Sequence, residues 1–150
     1  GEIGFSTNFK IDQMKTTLTT TLILITLSGF TQPLMVGFRK ADVIANMHQF
    51  PDMRRTVTAA DYLEYQRGST AYSFRFIEDT CDLYYGRWFC SEFTVCMPVG
   101  SELQYLSKLI ECDCLEPVNR DLWLWKNDYD TIQVQRIYQC DLVSFVFTEQ

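Results

Sequence analysis

Histidine is almost absent from this sequence: His48 is the single one in 150 residues. That excludes two-histidine nuclease chemistry and the His-Glu-x-x-His zinc motif. No Gly-x-Ser-x-Gly nucleophile elbow is present, and the seven glycines are not gathered into a phosphate-binding loop. No Cys-x-x-Cys pair occurs either, so Cys112-Asp113-Cys114 lacks the company a zinc site needs, and no metal or cofactor is expected. The absence of an Asn-x-Ser/Thr sequon removes N-glycosylation. Basic residues are in the minority, 13 against 19 acidic ones, for a net charge of −6. The resulting pI near 4.7 disfavours nucleic acid and anionic membranes as partners, and a basic protein surface or a cationic ligand fits better. His48, beside Phe50-Pro51 and remote from every cysteine, reads as a helix-end histidine. Carboxylate-only catalysis survives this list, with Glu92, Asp113 and Asp128 as candidates that no spacing singles out.

What is present begins with an export signal. Met14-Lys15 is a start-like residue with a positive charge, followed by an apolar run over Leu18–Phe30 centred on Leu22-Ile23-Leu24-Ile25. Small residues at Ser28, Gly29 and Thr31 follow, where a signal peptidase cuts. The run falls short of the ~20 residues a bilayer span needs, so no stable membrane anchor is expected. Residues 1–13 precede this start and read as an upstream, non-native segment; 14–31 are the signal peptide, and the protein is expected to be secreted.

All six cysteines, Cys81, Cys90, Cys96, Cys112, Cys114 and Cys140, lie in the exported part. An even count in an oxidising compartment predicts a disulfide framework of open connectivity. Cys112 and Cys114 are too close in sequence to bridge each other without strain. Cys90 and Cys96 stand ~20 Å apart on a strand and should not pair. The cysteine-free segment 32–55 ends in Arg54-Arg55, a dibasic processing candidate, which makes it a candidate propeptide ahead of a cysteine-rich domain at 56–150.

Periodicity predicts α+β: two or three short helices with an antiparallel sheet, stapled by disulfides. Helices are expected over Ala41–Phe50, closed by Pro51, over Thr58–Gly68, and over Glu102–Glu111 behind a Ser101 cap. The last would bury Leu103, Leu106 and Ile110. Strands are expected at Ala71–Ile77, in a hairpin over Cys81–Met97, and at Leu122–Lys126, Thr131–Cys140 and Leu142–Phe147. In the hairpin's second arm Phe93, Val95 and Met97 face one way, and Cys90, Glu92, Thr94 and Cys96 the other. Arg75…Cys81-Asp82-Leu83 and Arg136…Cys140-Asp141-Leu142 echo each other, with too few matches for a repeat.

Phe76–Val95, with Cys81-Asp82-Leu83 and Cys90-Ser91-Glu92-Phe93, loosely resembles the cysteine-anchored strands of arthropod salivary lipocalins. The resemblance implies a barrel, yet too little sequence precedes Ala71 to supply a barrel's earlier strands.

Aromatic density is the strongest hint of function. Tyr and Trp bury large areas with few rotamers, which suits interfaces and pockets. Trp123 and Trp125 share a strand face and, with Tyr129, Trp88 and Tyr85, form the expected grip on an extracellular protein surface or a small cationic or amphipathic ligand. A non-enzymatic binding protein is the reading this supports. A carboxylate hydrolase and a hormone- or toxin-like product released after Arg55 are the alternatives.

Overall fold

Alternating apolar residues run through nearly every segment after Thr58, and in a computed structural model that alternation builds one sheet. The structure describes residues 35–80, 87–111, 115–126 and 130–150. Helix α1 (Lys40–Met47) leads into β1 (Arg54–Thr58), β2 (Tyr62–Arg67), β3 (Thr70–Asp79) and β4 (Arg87–Pro98). Helix α2 (Glu102–Ile110) leads into β5 (Leu115–Asn119), β6 (Leu122–Lys126), β7 (Thr131–Gln139) and β8 (Leu142–Glu149). The eight strands are hydrogen-bonded in the order β1-β2-β3-β4-β8-β7-β6-β5, each neighbouring pair antiparallel. Two helix-plus-meander halves therefore meet where β4 pairs with β8.

The halves repeat in detail sixty residues apart, Asp61 to Asp121. The Asp61 carbonyl accepts the Phe76 N–H and the Asp121 carbonyl the Arg136 N–H, both at 2.8 Å. Leu63 and Tyr65 of β2 match Trp123 and Trp125 of β6, all four buried. The sequence echo is weak because the halves share a backbone plan more than side chains.

One face of the sheet carries the core. Leu63, Phe74, Phe93, Phe147 and Val134 follow one another across β2, β3, β4, β8 and β7 as direct register partners. Phe74, Phe93 and Phe147 stack nearly parallel, with centroids 4.7 and 5.3 Å apart. Val43 and Met47 of α1, Leu109 of α2, and Met35 and Val36 close over this ladder. The opposite face is polar or half-exposed, as a one-sided antiparallel sheet allows.

Several expectations are corrected. Strand occupies 59% and helix 17% of the described residues, so the chain is mainly antiparallel β rather than α+β. The segment expected as a helix over Thr58–Gly68 holds β2, because Leu63 and Tyr65 pair with Phe74 and Tyr72 of β3. Gly68, expected to stop that helix, takes φ +62° in the two-residue turn between Arg67 and Thr70. The disulfide staple is not supported: among the described residues Cys90, Cys96 and Cys140 are free thiols. Cys90 is also on the other face from the one expected. Arg75 pairs with Glu92 but Phe76 with Cys90, so a bulge at Ser91 turns Cys90 into the core. Cys96 stays on the outer face and Cys140 sits exposed in the β7–β8 turn at φ 57°. Cys81, Cys112 and Cys114 lie outside the described residues. The sheet is open, with β1 and β5 as edges, and so is not the barrel that the lipocalin resemblance implies.

Candidate interaction surface

The α2 sequence is apolar on more than one side: Leu103, Leu106, Leu109 and Ile110 cannot all face the sheet. Two contacts decide which do. Tyr105 packs on Phe145 of β8, centroids 4.9 Å apart, and Glu102 reaches Tyr138 of β7, whose hydroxyl donates to Oε2 at 3.2 Å. Glu102, Tyr105 and Leu109 therefore turn inward, with Glu102 6% and Leu109 2% exposed. Leu103 and Ile110, expected in the core, are 67% and 55% exposed, and Leu106 is only half-buried. Seven residues apart, Leu103 and Ile110 share a face about 10 Å long. Ser101 makes no side-chain cap; the Glu102 carboxylate accepts the Gly100 N–H instead.

More apolar side chains are exposed at the end of the sheet from which α2 starts. The Val99 N–H donates to the Asp141 carbonyl at 2.9 Å, joining the β4–α2 turn to the β7–β8 turn. Val99, Tyr138 and Leu142 there are all exposed.

A charged stack braces this corner from below. Arg136 occupies the β7 position that Phe76 holds in β3, and its side chain is 9% exposed. Its guanidinium lies 5.4 Å from the Trp123 ring centroid and 5.3 Å from that of Tyr138. It donates to Asp121 Oδ1 at 2.9 Å and to the Arg120 carbonyl at 2.8 Å. The Gly100 N–H above all, then the residue's own N–H, Tyr138 and the Arg136 charge, hold the Glu102 carboxyl below its ordinary range against the effect of burial. A guanidinium with its side chain largely buried, two hydrogen bonds and two aromatic rings in cation–π reach is a rigid support.

The residues expected to form the grip are placed differently. Trp123 and Trp125 do share a face of β6, but it is the core face, and each is 6% exposed. Trp88, the second residue of β4, lines a shallow cavity of about 260 Å³ with Arg39, Lys40, Ala41 and Arg87. Those cations make it poor ground for a cationic ligand. Tyr85 and Tyr129 lie outside the described residues, as do Ser28, Gly29 and Thr31 with the whole signal segment. Arg54 and Arg55 are exposed in β1. Upstream of them Met35, Val36, Val43, Met47 and Phe50 are all buried, so the segment expected as a propeptide contributes to the core.

Among the catalytic candidates, Glu92 faces Arg75 at 3.9 Å on the outer face, and Asp113 and Asp128 lie outside the described residues. His48 follows α1 as an exposed residue, edge-on to Tyr65. Among the described residues no group of three or more His, Cys, Asp or Glu side chains is arranged to hold a metal ion, and no helix is long and apolar enough to cross a membrane. Sequence reasoning missed Arg136 and the outward face of α2. The sequence echo aligned Arg136 with Arg75, whereas the structural repeat sets it at the place of Phe76, a core residue.

Comparison with known proteins found no matching family model, no similar curated protein and no similar solved structure.

Proposed function

We propose that this chain is an exported binding protein that acts without catalysis and docks another protein on the outward face of α2. The observation that carries the reading is the exposure of Leu103 and Ile110 on a helix whose opposite face is fixed to the sheet. Neither side chain contributes to the core, and covering both on docking recovers on the order of 2 kcal/mol. Val99, Tyr138 and Leu142 enlarge the same surface, and the Arg136 stack keeps it stiff, which limits the ordering cost of binding. A protein partner is favoured over a small cationic ligand, because Trp123 and Trp125 are walled in and Trp88 stands among cations. A product released after Arg55 is disfavoured, since it would lack Met35, Val43 and Met47 of the core.

The test is the double variant Leu103→Glu/Ile110→Glu. It is expected to keep the parent's circular dichroism and thermal midpoint and to lose co-purification of the partner from the fluid into which the protein is released. Unchanged recovery of the same partner contradicts the reading.

A further inference from the structure

The two edges of the sheet are built differently. β5 carries Pro117, which has no N–H to offer, and its Glu116 is held by Lys126 of β6 at 3.2 Å. β1 runs Arg54-Arg55-Thr56-Val57-Thr58 with every residue exposed, pairing with β2 on one side and, among the described residues, with no strand on the other. Alternate residues of an antiparallel strand aim N–H and C=O away from their partner, so β1 presents a row of them outward. Its two arginines make this edge basic in a chain of net charge −6.

Beside the edge lies a buried hydroxyl whose proton finds no acceptor among the described residues. Tyr65 of β2 is the register partner of Arg55, is 1% exposed, and its buried hydroxyl has no hydrogen-bond partner in good geometry. Burial above all raises the pKa of this hydroxyl, and the Arg55 charge and a long hydrogen bond from its guanidinium act against that. A guanidinium only donates, so whatever its position it cannot take the Tyr65 proton. The two donors share a need for one anionic acceptor. Arg55 is exposed, so its guanidinium is free to meet such a group at the edge.

We propose that β1 accepts an extended acidic segment of a partner protein as a ninth strand, with one carboxylate of that segment bonded by Arg55 and Tyr65. Main-chain pairing along the edge supplies the affinity and the carboxylate supplies the selection. A second copy of this chain is a poor occupant, because pairing two β1 strands gathers the arginines of both on one ribbon, where like charges repel. The proposal concerns the other half of the sheet from α2 and does not depend on the surface described there.

The full chain is titrated by fluorescence anisotropy with a labelled peptide of alternating Glu and Val. Controls are the Lys-for-Glu peptide and a peptide of the same negative charge with proline at alternate positions. The acidic peptide is expected to bind at least about tenfold more tightly than either control, and more weakly as salt rises. Tyr65→Phe is expected to weaken binding by about tenfold while leaving the thermal midpoint unchanged or raised, and Arg55→Gln to weaken it at least as much. No binding of the acidic peptide, or equal binding of the basic or proline peptide, overturns strand addition at β1. A Tyr65→Phe variant that binds like the parent, or whose midpoint falls, overturns the carboxylate site.

Discussion

Truncating the leucines of α2 one at a time separates a structural face from a free one. Leu109 is 2% exposed and belongs to the core cluster, whereas Leu103 is 67% exposed. Leu109→Ala removes three buried carbons and leaves a cavity roofed by the helix, for a loss of about 3 kcal/mol, within the roughly 2–5 kcal/mol usual for such changes. Leu103→Ala removes the same atoms from solvent; its cost should stay below about 0.5 kcal/mol, partly offset by the better helix propensity of alanine. Ile110→Ala, at 55% exposure, should behave like Leu103→Ala. Urea unfolding followed by far-ultraviolet circular dichroism measures all three, and the midpoint should move substantially for Leu109→Ala alone, with no change of slope. A Leu103→Ala or Ile110→Ala variant as destabilised as Leu109→Ala would refute the orientation of α2 and the surface built on it.

Phe93 stacks on both Phe74 and Phe147 at the centre of the sheet, so Phe93→Ala should cost about 3–5 kcal/mol, read by the same unfolding assay. Burial pushes the Cys90 thiol up to about 12, so timed alkylation with peptide mapping should modify exposed Cys140 long before Cys90. A raised thiol pKa also means that stability is full below the ordinary value of 9.0 and declines from there toward 12, because only the unfolded chain ionises in that window; Cys90→Ala should flatten this alkaline decline in the thermal midpoint. Glu102 has the opposite sign. Its lowered pKa contributes stability above the ordinary carboxyl value of 4.5 that disappears as pH falls through the folded value, and Glu102→Gln should remove that part of the acid sensitivity.

Much of the sheet was legible because period-two patterning is a local signal. β6, β7, β8 and the second arm of the expected hairpin were read within a residue or two. β2 was misread because Ala59, Tyr62, Leu63 and Gln66 satisfy helical spacing as well as Leu63 and Tyr65 satisfy alternation. Pairing with β3 decides between them, and no short window contains β3. The inward face of α2 was misjudged for a similar reason: its choice rests on Phe145 and Tyr138, more than thirty residues away in sequence. Trp123 and Trp125 were correctly put on one strand face, but which face is buried depends on the whole sheet. The even cysteine count suggested pairing, yet of the described cysteines Cys90 is buried in the core, Cys96 lies on the outer face and Cys140 is exposed in a turn, each a free thiol. Arg136, between Gln135 and Ile137, has the local pattern of a solvent-facing residue. It is buried because Trp123, Tyr138 and Asp121 converge on it from β6, from further along β7 and from the β5–β6 turn.

The central claim is that the outward face of α2 meets another protein. A photo-crosslinking residue in place of Leu103, in cells that make and release the chain, tests it most directly against the same residue in place of Gln133 on the outer face of β7. A discrete protein adduct from position 103 with none from 133 is the predicted result. Adducts of equal yield from both positions, or none from position 103, would contradict it.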